Sequence, residues 1–133
     1  MRFLFPSRFS HLLSIGLLLF TQVSLAAGVT ITHTHQGKTV EVSVGDVIRI
    51  ELSGTPTTGY WWHFGPLDSQ CVDVVRTDII HPPERTLEGA PVTGIWEVKA
   101  KRQGRIKIRA SYSRSWDKDI SPLREFWFIL KIR

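Results

Sequence analysis

Gly104-Arg-Ile-Lys-Ile-Arg-Ala-Ser-Tyr112 decides the fold class. In an extended chain Ile106, Ile108, Ala110 and Tyr112 fall on one face, and Lys107, Arg109 and Ser111 fall on the other. A helix would scatter the same apolar residues around its axis. The period of two continues on both sides. Upstream, Trp96, Val98 and Ala100 share a face of 93–100, with Ile95 offset. Downstream, Phe126, Phe128, Leu130 and Ile132 are in register within 123–132. Residues 29–35 and 40–44 alternate around a Gln36-Gly37 turn, and Gly45-Asp46 leads into an apolar run at 47–52. Tyr60–Phe64 reads as a short aromatic strand and 71–80 as a strand rich in Val and Ile.

After residue 26 no window of about eleven residues keeps apolar side chains at helical spacing, and β-branched and aromatic residues dominate. Seven or eight short strands separated by Gly/Pro turns predict an all-β fold. Its expected architecture is an immunoglobulin-like antiparallel β-sandwich of two sheets, with a small closed barrel as the competitor. Cys71 is the only cysteine of the 133 residues, so the fold has no internal disulfide and depends on its core.

Residues 1–26 read as a secretory signal. Arg2 and Arg8 precede an apolar stretch at 12–20, and Ser24-Leu25-Ala26 offers a small-x-small cleavage site. An exported protein, periplasmic or secreted, is therefore expected, with 27–133 as one domain. No later segment approaches the roughly 18–20 consecutive apolar residues of a spanning helix, so no membrane insertion is expected. Residues 27–96 carry four basic and eight acidic side chains, whereas 97–133 carry eleven basic and four acidic. The basic third raises the question of nucleic acid or anionic lipid. Its charges alternate with apolar residues, however, as the solvated faces of strands do. With export added, no nucleic acid is expected as a partner.

Three connections are unusual for plain turns. Ser53-Gly-Thr-Pro-Thr-Thr-Gly-Tyr60 holds Pro56, which fixes its own φ and extends Thr55, and Gly59, which permits a positive φ. A loop constrained in this way presents Thr57 and Thr58 at its tip with little ordering left to do on binding. The connection at 81–92 contains Pro82, Pro83, Gly89 and Pro91 and is long for a sandwich. The third, Ser113-Arg-Ser-Trp-Asp-Lys-Asp119, puts Trp116 in polar surroundings, where an indole more often makes a contact than fills a core. In an immunoglobulin-like sandwich, loops at these chain positions come together at one end.

Thr55-Pro-Thr-Thr-Gly-Tyr60 resembles the Asn-Pro-Thr-Thr-Gly-Tyr/Phe loop of the chagasin-type inhibitors of papain-like cysteine proteases. Gly89–Trp96 is similar to their Gly-rich loop leading into an aromatic strand, and Arg114-Ser-Trp116 to their Arg-Pro-Trp motif. The resemblance implies reversible, non-covalent inhibition by three neighbouring loops, at 55–60, 83–93 and 113–119. Thr55, Pro56, Thr57, Thr58, Gly59 and Tyr60 would enter the cleft, with Thr57 nearest the catalytic thiolate and Thr58 beside it. Gly89, Ala90, Pro91 and Val92 would offer main-chain groups, Trp116 would pack on the rim, and Arg114 would set its loop. The pattern departs from the family at Thr55, where the family has Asn, at Ser115, where it has Pro, and at Pro91 and Val92, where it tends to have glycines.

The residues give no support to catalysis. No Ser-His-Asp arrangement, phosphate loop or His/Cys cluster is present, so no enzyme, cofactor or metal is expected. His33 and His35 would share a strand face as a possible metal pair, but no third ligand is near in sequence. Cys71 opens a Val-rich strand and reads as an inert thiol. The alternative from another class is a non-catalytic β-sandwich module that binds carbohydrate or another protein, with Trp61, Trp62 and Trp127 stacking on sugars if they shared an exposed face. A monomer is expected in either case.

Overall fold

The computed structural model describes residues 28–83 and 89–133; the signal reading at 1–26 and residues 84–88 of the second loop lie outside the described residues. Eight strands follow in order: β1 (Gly28–Ile31), β2 (Thr39–Val42), β3 (Val47–Gly54), β4 (Tyr60–Phe64), β5 (Val72–Ile80), β6 (Val92–Ala100), β7 (Gly104–Arg114) and β8 (Arg124–Ile132). One sheet has the order β1-β3-β6-β5 and the other β2-β8-β7-β4. Each sheet ends in two edges, so the architecture is the sandwich and not the closed barrel.

The expected antiparallel pattern holds for β3/β6, β5/β6, β4/β7 and β7/β8. The pairs β1/β3 and β2/β8 are instead parallel. The cause is the chain's regular reversal: strands an odd number of elements apart run antiparallel, and these two pairs are an even number apart. A second difference lies at the start. Residues His33–His35 form a 3₁₀ turn, not a continuation of β1. The Thr32 N–H donates to His35 Nδ1 at 3.1 Å, a local bond that competes with strand extension. His33 and His35 therefore share no strand face, and the described residues hold no group of three or more metal-ligating side chains.

The faces read from period two are the ones buried. Ile48, Ile50 and Leu52 of β3 and Val98 and Ala100 of β6 meet Ile108, Ala110 and Tyr112 of β7 and Phe126, Phe128, Leu130 and Ile132 of β8. Full burial of each large aliphatic or aromatic side chain contributes about 1.5–3 kcal/mol, enough in sum to hold a domain without a cross-link. Arg105, Lys107 and Arg109 lie exposed on the opposite face of β7, which is where the C-terminal excess of positive charge goes.

Cys71 is a buried free thiol at the base of β5. Burial pushes its pKa up, and its hydrogen bond to the Asp68 carboxylate acts in the same direction. Its backbone carbonyl accepts from Lys101 N–H at the end of the molecule away from the three loops. Cys71→Ser is expected to leave the inhibition that the loop resemblance implies unchanged, as read from inhibition constants of variant and parent; a lost inhibition with the fold intact would demand a thiol mechanism.

Candidate functional site

The 55–59 segment is shaped by its own residues. Thr55 takes φ −123° and ψ 78°, away from helical values as a residue before proline must. Pro56–Thr58 then form one 3₁₀ turn, with Thr58 N–H donating to Thr55 O at 3.0 Å and Gly59 N–H to Pro56 O at 2.9 Å. Thr58 Oγ1 donates to Thr55 O at 2.6 Å and tightens the same turn. Gly59 ends it at φ 83°, a conformation open to glycine at little cost. Thr57 stands exposed at the tip.

Strand register brings the three loops together. Gly54 pairs with Val92, so the first loop leaves where the second ends. Tyr60 pairs with Arg114, so the first loop arrives where the third begins. A Cβ at Gly89 would lie 3.7 Å from Thr57 Oγ1, which places the second loop against the tip. Trp116 closes over Gly59 so tightly that a Cβ there would lie 2.3 Å from the indole. Arg114 joins these parts. Its Nε donates to Thr58 O at 3.1 Å, and its guanidinium lies 4.4 Å from the Tyr60 ring and 5.8 Å from the Trp116 ring.

Thr55, Pro56, Thr57, Thr58, Gly59, Tyr60, Gly89, Ala90, Pro91, Arg114 and Trp116 thus share one end of the sandwich. Trp116 is 65% exposed there and presents a large apolar surface. Val92 differs from the rest: it is the first residue of β6 and its side chain is buried, so it anchors the base of its loop. Ser115 is exposed in the third loop, and Thr55 takes the hydrogen-bonding place expected of an Asn by a different route.

That route runs through Tyr112, which sequence reasoning placed in the core and gave no further part. Its ring is 1% exposed, and its hydroxyl accepts from Thr55 N–H at 2.9 Å and pairs with Thr55 Oγ1 at 3.1 Å. Tyr60 stacks on the same ring with centroids 5.7 Å apart. A buried phenol needs a partner, which is the one sequence signal available, but the identity of that partner is tertiary. Tyr112→Phe should lower unfolding stability by about 1 kcal/mol, because it removes the partner of the half-buried Thr55 N–H. Chemical denaturation of variant and parent checks this.

The tryptophans do not make a sugar platform. Trp62 is buried, with its Nε1–H donating to Ser53 O at 2.9 Å. Trp61 packs against Trp96 with ring centroids 6.0 Å apart, and Trp127 lies on the outer face of the same sheet as Trp62, under Lys107, whose Nζ is 4.0 Å from the ring centroid, so the three share no exposed face.

One end of the β-sandwich thus carries a three-loop edge with hydroxyls at its tip and an exposed indole beside them. Residues 41–130 match the model of the chagasin family of peptidase inhibitors, I42. The chain is 31% identical over 104 residues to chagasin of Trypanosoma cruzi, covering 76% of this chain and 94% of that protein. It is 30% identical over 106 residues to amoebiasin-2 of Entamoeba histolytica, covering 77% and 84%. The crystal structure of a cysteine protease inhibitor from Entamoeba histolytica superposes with TM-score 0.74 at 28% identity, covering 81% of this chain and 97% of that one. This chain belongs to the chagasin family of peptidase inhibitors, proteins that are not enzymes.

Proposed function

We propose that this protein is an exported, reversible, non-covalent inhibitor of papain-like cysteine proteases. The 55–60 loop enters the active-site cleft, and the 83–93 and 113–119 loops brace its two sides. The observation that carries this reading is the fastening of the threonine loop by Trp116 and Arg114. It turns a flexible connection into a wedge whose shape exists before binding, so little conformational entropy remains to be lost. The wedge is also a 3₁₀ turn at its tip, not an extended strand, and so presents no peptide bond laid out for attack by the thiolate. Thr57 fills the space over the catalytic Cys–His pair, with Thr58 beside it. Gly89, Ala90 and Pro91 offer main-chain groups, and the Trp116 indole packs on the rim.

Export rests on the signal reading at 1–26. All three loops come from one chain, so the inhibitory unit is the monomer. The test is a titration of papain activity with the purified protein. Stoichiometric loss of activity supports the inhibitor; no effect at micromolar excess would instead favour a binding module for another protein or for carbohydrate.

A further inference from the structure

The threonine loop runs between two glycines, Gly54 at the end of β3 and Gly59 just before β4, and an indole lies against each. At Gly59 the indole is Trp116. At Gly54 it is Trp61, the second residue of β4. A Cβ at Gly54 would lie 2.9 Å from Cζ3 and 3.0 Å from Cε3 of Trp61. It would also lie 3.1 Å from Cε2 of Tyr112, the residue whose hydroxyl holds the Thr55 N–H.

Gly94 belongs to the same seat. It pairs with Leu52, while Gly54 pairs with Val92, so the two glycines are diagonal neighbours on adjacent strands. A Cβ at Gly94 would lie 2.9 Å from Cζ2 of Trp61 and closer still to Trp96. The benzo ring of Trp61 thus rests across two strands where neither carries a side chain. Glycine weakens a strand, and inside one it marks the close approach of another group. Neither Gly54 nor Gly94 has a positive φ, so the backbone itself does not call for glycine. What excludes a side chain at both positions is aromatic packing, and Trp61 is the ring common to the two. Trp96 holds Trp61 from one side, with Phe64 behind it at 5.0 Å between centroids. On another side lies a hollow of about 580 Å³ between β4 and β5, lined by Trp61, Trp62, Trp96 and Ile79 among others. A methyl added at Gly54 can therefore push the indole into that hollow without opening the core.

We infer that Trp61 is a positioning residue for the wedge. Its ring on Gly54 and Gly94, with the Tyr112 hydroxyl on Thr55 N–H, fixes where the chain leaves β3. Trp116 and Arg114 fix where it enters β4, so the loop is set at both roots and not at one. Trp61 acts through the loop it supports. The inference rests on the inhibitory reading of the 55–60 loop.

The test pairs inhibition of papain with amide hydrogen exchange in the free protein, read at Thr58 and Gly59, whose N–H groups close the turn. Gly54→Ala should weaken inhibition about tenfold or more and speed exchange at both amides. Ile108 and Phe128, paired in the centre of the other sheet, should exchange as in the parent, which separates a loosened loop from a loosened fold. Trp61→Phe, which removes the benzo ring, should act in the same direction but less. The double variant Gly54→Ala/Trp61→Phe should recover most of the loss, because the methyl takes the room the benzo ring leaves. Independent destabilisation would make the two losses add. Gly54→Ala with the parent's inhibition and exchange overturns the inference. So does a double variant no better than Gly54→Ala alone, since Tyr112 and not Trp61 would then set the root. A parent that fails to inhibit papain removes the inhibitory reading instead, and the exchange rates still decide whether Trp61 holds the loop.

Discussion

Gly59→Val is expected to remove inhibition almost completely while the sandwich still folds. Two effects act together. Gly59 has φ 83°, a region that a β-branched residue avoids at a cost of about 1–2 kcal/mol. Its Cβ would also sit 2.3 Å from Trp116, and no real contact is that short. The indole must therefore leave, and the bond from Arg114 to Thr58 O is strained with it. Gly45→Val supplies the control, because Gly45 has φ 94° with nothing within 4 Å of a Cβ. It carries the backbone strain alone, and it lies in the turn between β2 and β3. Inhibition constants and melting temperatures of the two variants separate strain from the displaced tryptophan: both should melt lower, and only Gly59→Val should stop inhibiting.

Trp116→Ala should weaken inhibition by about 2–4 kcal/mol, roughly 30- to 1000-fold, the range of a binding hot spot. The melting temperature should hardly change, because the indole is 65% exposed and contributes little to the core. That split between binding and stability distinguishes a contact residue from a structural one. A variant that melts much lower, or one that inhibits as the parent does, would remove Trp116 from the binding edge.

The sandwich was legible because its strands have one wet and one dry face. Ile108, Ala110 and Tyr112, or Phe126, Phe128 and Leu130, announce their layer without reference to anything distant. The loop from Thr55 to Tyr60 was legible for a similar reason, since Pro56 and Gly59 act on their own backbone. What could not be read depends on which segments meet. The parallel pairing of β1 with β3 follows from how many reversals separate them, not from side-chain pattern. His33–His35 alternates like a strand but turns, because Thr32 finds a nearer partner in His35 than in a neighbouring strand. The hydroxyl of Tyr112 lies 57 residues from the Thr55 it holds. No local rule connects the two.

The most direct test is the inhibition constant of Thr57→Arg against papain, beside Thr57→Ala and the parent protein. Thr57 is exposed at the tip of the wedge, so neither change should disturb folding. If the 3₁₀ turn enters the cleft as a rigid body, the bulky side chain has no room to yield, and Thr57→Arg should lose about 100-fold or more, as overpacked and hot-spot positions do. Thr57→Ala should lose much less. Full inhibition by a folded Thr57→Arg variant would contradict the wedge and leave the family likeness as a likeness of fold.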